Sequence, residues 1–243
     1  MESLTFDSIS LRGAGTVSVM QQKRGARFTL DSLLLADFCR VRSRDSILEP
    51  GTGTGIVSLL LAKKHPRSRI IAIELQSSLT GLCRRNITRN SLEDRIVLIE
   101  GDLRSLGRQL KSSSFDLLVA NPPYTRIGSG RQNPGQERFT SRQDQYGDLD
   151  AWLDLQHYLK NKGRYALVFP AARLVDLVAS LRSRRLEPKR MRLVHTRQNK
   201  PASLVLMEAV KSAGSELEVL PPLIVHDPSG RYSAEMRDLY ARS

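Results

Sequence analysis

The sequence predicts an α/β fold in which a mainly parallel sheet carries helices on both faces. Three observations point there. Short apolar runs recur near residues 47–50, 70–73, 96–99 and 115–120, and they are continuous rather than alternating, as strands buried on both faces are. Helix-patterned segments at 56–64 and 76–90 lie between them, and strand–helix alternation is how a parallel sheet is built. The runs stop at Glu49, Glu74, Asp102 and Asn121, which sets these residues on one rim. Ligands of such sheets bind outside the carboxyl ends of the strands.

Residues 1–30 alternate loosely, with Leu11, Val17, Val19 and Phe28 facing inward, and read as short strands or a hairpin. Asp31-Ser32 starts a helix that continues through Leu33, Leu34, Leu35, Ala36 and Phe38. A charged connector, 40–45, precedes the first sheet strand. That strand ends in the glycine-rich turn 51–55, and helix 56–64 closes at His65-Pro66. In helix 76–90, Leu79, Leu82, Cys83 and Ile87 fall at helical spacing. Residues 125–147 form a long polar segment of the kind that carries function. A helix over 148–160, a strand over 164–169, a helix over 172–184 and a strand pair at 191–195 and 204–210 follow. Residues 223–225 form a short edge element.

Composition narrows the function. The chain has 243 residues, 40% of them hydrophobic, enough for one large α/β domain and its core. Its net charge of +13 points to a polyanionic partner, nucleic acid before membrane, because no basic amphipathic helix adjoins an apolar segment. No run is long enough to span a bilayer, and Met1-Glu2-Ser3 does not open a signal peptide. Cys39 and Cys83 lack the spacing of a zinc cluster, and His65, His157, His195 and His226 lack ligand spacing, so no metal is expected. A cytoplasmic protein with reduced thiols is expected.

The chemistry concentrates in two turns. Glycines 51, 53 and 55 lie between a strand and a helix, where a backbone can approach a ligand closely. The dinucleotide fingerprint needs a third glycine at 56, where this chain has Ile56, and no Gly-Lys-Ser/Thr phosphate loop follows. Glu74 falls at the spacing of an acid that meets ribose hydroxyls, and Asp102 can accept from an adenine amino group. A ligand with adenosine and no phosphates, S-adenosylmethionine, fits this set. In the second turn, Asn121-Pro122-Pro123-Tyr124, two prolines end a strand abruptly. The Asn121 side-chain oxygen and the Pro122 carbonyl are two acceptors that can hold both hydrogens of a planar amino group and free its lone pair. Tyr124 offers a face on which a base stacks.

Glu49-Pro50-Gly51-Thr52-Gly53-Thr54-Gly55, Glu74, Asp102 and Asn121-Pro122-Pro123-Tyr124 together resemble class I, S-adenosylmethionine-dependent methyltransferases of the amino-group type. The stretch 21–36, continuing through 55–59, with 222–227 and 230–232, is similar to the bacterial tRNA1(Val) adenine-N6 methyltransferases. That resemblance implies a Rossmann-like, seven-stranded sheet with an antiparallel last strand, in a single domain over 1–243. Residues 1–45 would be an extension covering the cofactor site, and 46–243 the sheet core. It implies methylation of the adenine 3′ of a tRNA anticodon, with Asn121, Pro122, Pro123 and Tyr124 catalytic. Arg27, Phe28, Glu49, Gly51, Gly53, Gly55, Glu74, Leu75, Asp102, Leu103 and Asn121 would surround the cofactor. The family's first strand commonly ends Asp-Leu-Gly, and here Pro50 removes a backbone donor.

For RNA contact the candidates are Arg126, Arg131, Arg138 and Arg142 in the long segment, and Lys189, Arg190, Arg192, Arg197 and Lys200 near the last strands. Three other readings stand beside tRNA adenine: an rRNA guanine or adenine amino methyltransferase, a release-factor glutamine methyltransferase, and a silent RNA-binding scaffold.

Overall fold

A computed structural model describes residues 4–23, 27–102, 110–123 and 149–240. The expected hairpin is present as β1 (Leu4–Leu11) and β2 (Gly15–Gln22), an antiparallel pair outside the main sheet. Helix α1 (Leu30–Phe38) follows. The core then alternates as β3 (Ser46–Pro50), α2 (Ile56–Lys64), β4 (Arg69–Glu74), α3 (Ser77–Arg89), β5 (Ile96–Glu100) and β6 (Phe115–Ala120). After it come α4 (Leu149–Asp154), β7 (Leu159–Pro170), α5 (Leu174–Ser183), β8 (Leu186–Arg197) and β9 (Ala202–Lys211). Two short strands, β10 (Glu218–Val219) and β11 (Leu223–His226), and helix α6 (Ala234–Leu239) complete the described chain.

Along the main sheet the order is β8-β9-β7-β6-β3-β4-β5, mainly parallel with helices on both faces as expected. Strands β3 to β7 pair in parallel, and β9 is antiparallel to both β7 and β8. β10 and β11 add to the outer edge of β8 in parallel, so among the described residues the sheet has nine strands. Residues 223–225 are the edge element the sequence implies. The helix expected over 148–160 is shorter: α4 ends at Asp154, a 3-10 turn spans Leu155–Tyr158, and β7 begins at Leu159. Apolar residues at 153, 155 and 159 fit a helix or a strand start equally well, and pairing of Leu159 with Phe115 decides for the strand.

Alternation along each strand divides the core into two layers. Ile47, Leu117, Val119 and Val168 pack with α1, α2 and α3 on one face. Leu48, Leu118, Leu167 and Phe169 pack with α4 and α5 on the other. Cys39 and Cys83 are buried and free. Beneath the sheet, at the amino ends of its strands, Arg164 pairs with Asp45 at 2.5 Å, both buried. Among the described residues no helix is long and apolar enough to cross a membrane.

The N-terminal hairpin is held by two asparagines of α3 and its C-cap. Ser18 N donates to Asn90 Oδ1 (3.0 Å) and Asn90 Nδ2 donates back to Ser18 O (2.8 Å). Met20 N donates to Asn86 Oδ1 (2.7 Å), and Asn86 Nδ2 donates to Met20 O and to Thr54 O, both at 2.9 Å. Four helical residues advance about 6 Å and two strand residues about 6.8 Å. Side chains at 86 and 90 therefore meet backbone groups at 20 and 18, and they bond β2 as a neighbouring strand would. Asn86→Ala leaves three backbone groups without this partner, Thr54 O buried and Met20 N and O part-buried, at up to about 1–3 kcal/mol for an unmet buried group. A loss of about 3 kcal/mol should lower the melting temperature by roughly 6–12 °C, and limited proteolysis should open the hairpin first. Unchanged melting and an intact hairpin would contradict this role.

Candidate active site

The rim of the sheet holds a cleft lined by Arg27, Phe28, Ser32, Glu49, Gly51, Thr52, Gly53, Thr54, Ile56, Val57 and Asn121. It lies where β3 and β6, neighbours in the sheet, both end. Five elements contribute. The segment after the hairpin supplies Arg27 and Phe28, α1 supplies Ser32, β3 and its turn supply Glu49 to Thr54, the first turn of α2 supplies Ile56 and Val57, and the end of β6 supplies Asn121.

The glycine turn is shaped from behind. Gly51 has φ +63°, and a Cβ there would stand 2.6 Å from Trp152 Cη2 of α4. Gly53 has φ +60°, with open space where its Cβ would stand. A side chain at 53 would be strained by its backbone as well as filling space a ligand could use. Pro50 cannot donate to β4, but Thr52 N donates to Ile73 O at 2.9 Å and ties the turn to that strand.

Glu74 is buried at the end of β4, behind the turn. Its Oε2 accepts from Gly53 N (2.8 Å) and its Oε1 from Gln76 N (2.9 Å). Each carboxylate oxygen has a second acceptor direction left. Gly101 N donates to Glu74 O at 2.9 Å, which holds the end of β5, and so Asp102, beside it. Leu75 is exposed and does not line the cleft. Gly55 is the N-cap residue of α2.

Glu49 is buried beneath the cleft and accepts a hydrogen bond from the Ser58 hydroxyl of α2. Burial pushes its carboxyl up to about 7; the Ser58 and Thr52 hydroxyls oppose that shift and the Glu74 carboxylate adds to it. Arg27 turns its guanidinium toward the hairpin, 3.4 Å from Asp7, while still lining the cleft. Phe28 N donates to Gln21 Oε1 at 3.3 Å.

Asn121 donates its amide nitrogen to the Ser32 hydroxyl at 3.1 Å. With the nitrogen occupied, the amide oxygen is turned the other way as an acceptor. The sequence marks Ser32 only as part of a helix start. Its pairing with a residue 89 positions away is visible only in three dimensions. Pro122 is buried and Pro123 exposed. Leu103, Tyr124, Arg126, Arg131, Arg138 and Arg142 lie outside the described residues.

The second set of basic candidates separates. Arg190 is buried, 3.4 Å from Glu208, stacked on Phe38 and bonded to its carbonyl, so it is no RNA contact. Lys189 bonds the carbonyls of Gly214 and Ser215 at the amino end of β8, away from the rim. Arg192 pairs with Glu235 at 2.6 Å. Arg197 and Lys200 are exposed at the other end of β8. A depression lined by Arg12, Asp37, Arg190, Arg192 and Glu235 lies away from the rim, and both its carboxylates are already paired with arginines.

A model of the methyltransferase small domain family matches residues 15–143, more than half of the chain. The chain belongs to that family. A tRNA1(Val) (adenine(37)-N6)-methyltransferase from Porphyromonas gingivalis is 32% identical over 77% of this chain and 75% of its own. One of the same name from Bacteroides fragilis is 28% identical over 93% of this chain and 95% of its own. Among solved structures, a predicted O-methyltransferase from Agrobacterium tumefaciens aligns with a TM-score of 0.69 at 20% identity, covering 87% of this chain and 95% of that one. The 16S rRNA N2 G1207 methyltransferase of Thermus thermophilus, in complex with AdoMet and guanosine, aligns with a TM-score of 0.60 at 17% identity, covering 86% of this chain and 50% of that one. These two likenesses are of fold.

The residues present suit S-adenosylmethionine, the methyl donor such a fold implies. Open space over Gly53, an apolar wall at Phe28, Ile56 and Val57, and the spare acceptor directions of Glu74 match an adenosine. The Glu49 carboxylate beneath the cleft matches a cationic sulfonium amino acid. Titration of Glu49 near 7 makes two predictions. Below about 7 the group is neutral and above it anionic, so affinity for S-adenosylmethionine should rise about tenfold from pH 6 to 8. The quenching of Trp152, the sole tryptophan, should report it. Without cofactor the sign reverses: the folded chain keeps a proton that an unfolded carboxyl releases near 4.5, so stability is full below 4.5 and falls as pH rises to about 7. Glu49→Gln should flatten both profiles; profiles unchanged by it would assign the titration elsewhere.

Proposed function

We propose that this methyltransferase moves a methyl group from S-adenosylmethionine to the exocyclic N6 of an adenine in tRNA, the adenine 3′ of the anticodon in tRNA1(Val). The observation that carries the reading is Asn121. Its amide nitrogen is engaged by Ser32 at 3.1 Å, its oxygen is left as an acceptor, and it lines the cleft that the glycine turn shapes. The names of relatives aligned over most of the chain support the choice of adenine in tRNA. The net charge of +13 suits a polyanion.

An adenine amino group is a poor nucleophile because its lone pair is spread into the ring. In this reading Asn121 Oδ1 and the Pro122 carbonyl each accept one of its hydrogens. Two acceptors held in place favour a pyramidal nitrogen and stabilise the positive charge that grows on it. Tyr124 stacks on the base, which leaves its own stack to reach the turn. S-adenosylmethionine, when bound, supplies an electrophilic methyl on a sulfonium. Glu74 would hold its ribose hydroxyls and Asp102 its adenine amino group. Arg27, Phe28, Glu49 and the backbone of Gly51, Gly53 and Gly55 surround the rest. Proton loss after transfer needs no strong base, since the methylated nitrogen is already cationic. Residues 1–45 act as the extension over this site, anchored through Asn86 and Asn90. An enzyme acting on tRNA works in the cytoplasm.

Incubation with labelled S-adenosylmethionine and separate pools of tRNA, rRNA and release factor, followed by mass-spectrometric mapping, should place the label on a tRNA adenine. Label in rRNA or protein but not in tRNA would overturn the substrate. Asn121→Ala should cut kcat by roughly 10²–10³. Ser32→Ala removes one hydrogen bond, about 1 kcal/mol, and should cost about fivefold in kcat with the KM for S-adenosylmethionine little changed. Activity of Asn121→Ala within a few-fold of wild type would remove its assigned role.

A further inference from the structure

We infer that the turn joining β8 to β9 and the loop following β11 form one RNA-docking platform on the active rim. The platform grips the tRNA backbone beside the target adenine, and the inference rests on the tRNA reading above. Strand direction gives the placement. β6, which carries Asn121, is parallel to β7; β9 is antiparallel to β7, and β8 to β9. The carboxyl end of β8 therefore lies on the same rim as Asn121. β11 runs parallel to β8, with His226 opposite Arg197, so its end reaches that rim too. Three strand spacings separate β6 from β8, roughly 14 Å. A bound nucleic acid covers more than that.

Two contacts make the two segments one surface, and a third fixes the loop. His226 Nδ1 meets Thr196 O at 3.3 Å. Gly230 lies against the Arg197 guanidinium, whose Nη2 would be 3.5 Å from a Cβ at 230. Tyr232 stacks on His226 at 5.5 Å and on Tyr240 at 5.4 Å, which fixes the loop over α6. The loop is also wound tightly: Asp227 Oδ1 accepts from Ser229 N, Ser229 Oγ and Arg231 N.

The charge of this surface is mainly basic. Arg197, Lys200, Arg231 and Arg237 are exposed; Asp227 lies 3.8 Å from Arg237, and the α6 carboxylates Glu235 and Asp238 pair with Arg192 and Arg12. Among the described residues, Arg197 and Lys200 form no ion pair, although other surface arginines such as Arg12, Arg40 and Arg184 do. Exposed cations, Arg197 and Lys200 without ion pairs among the described residues, around a half-exposed aromatic column suit phosphates flanked by a base. An acidic protein surface would meet the same charge, and the test separates the two.

The test compares Arg197→Ala/Lys200→Ala with Arg67→Ala/Arg69→Ala, which removes equal charge from exposed positions at the opposite end of the sheet. Affinity for tRNA is measured by filter binding across a salt series, beside methylation in the same preparations. The platform pair should weaken tRNA binding about tenfold and lower the slope of log K against log salt by about 1.5. It should raise the KM for tRNA with kcat little changed and S-adenosylmethionine affinity intact. The control pair should do little. If wild type methylates tRNA while the two pairs behave alike, the platform is wrong and the functional reading stands. If wild type fails to methylate tRNA, the functional reading falls and the inference with it. Restoration of binding by Arg197→Lys/Lys200→Arg would tie the effect to charge; no restoration would overturn a phosphate-gripping role.

Discussion

Asn86 makes three side-chain hydrogen bonds, and they reach two separate parts of the chain: the backbone of β2 at Met20 and the glycine turn at Thr54. A fully buried amide with every bond to backbone has little room to shift, since any departure strands a donor or acceptor away from water. The hairpin, the cofactor-side turn and α3 are therefore registered against one another by a single group. Hydrophobic packing could hold the hairpin near α3, but it is non-directional and would tolerate sliding. The amide ladder at 86 and 90 removes that freedom. The approach of Arg27 and Phe28 to the cleft depends on it, because both follow directly from the end of β2.

A second constraint acts from the other side of the turn. Glu74 spends one acceptor direction of each oxygen on Gly53 N and Gln76 N. Its carboxylate is thus fixed relative to the turn before any ligand arrives. The same residue, through its carbonyl, holds Gly101 and the end of β5. Preorganisation of this kind lowers the ordering cost at binding. Asn121 is treated the same way by Ser32: the amide is oriented through its nitrogen, and the oxygen is left for chemistry.

The parts legible in sequence are those with a local signature. Continuous apolar runs, glycines between strand and helix, and paired prolines after Asn121 each express their physics within a few residues, so the mainly parallel core and both turns can be read directly. Groups whose partners are remote could not be. Ser32 looks like an ordinary helix start until β6 brings Asn121 to it. Asn86 and Asn90 look like polar helix positions, disfavoured on propensity, until β2 lies against them. Arg190 shows the converse. Lys189, Arg190 and Arg192 form a charge cluster in sequence, but the strand register shifts between Pro188 and Arg190, and Arg190 goes inward to Glu208 and Phe38 while Arg192 reaches Glu235. The end of α4 was overextended because leucines at 153, 155 and 159 satisfy both periods, and only pairing with β6 distinguishes them.

The strand order divides labour along the rim. β3 and β6 sit side by side where the order reverses, the place at which open α/β sheets bind ligands. Outward on one side, β4 and β5 end in Glu74 and Asp102, both suited to an adenosine. Outward on the other, β8 and β11 end, and β9 begins, at a surface that is basic and aromatic. Asn121 stands between the halves. A small cofactor can be held by the first half alone, since buried carboxylates and glycine backbone satisfy its few polar groups at short range. A macromolecular substrate cannot be held by so short a turn as the one at Asn121. Its binding must come from area farther along the rim, where β8, running in the same direction as β6, delivers the chain and the 198–201 turn sends it back along β9. The antiparallel last strand thus closes the chain with a short turn at the active rim, where a parallel strand would have needed a long crossover.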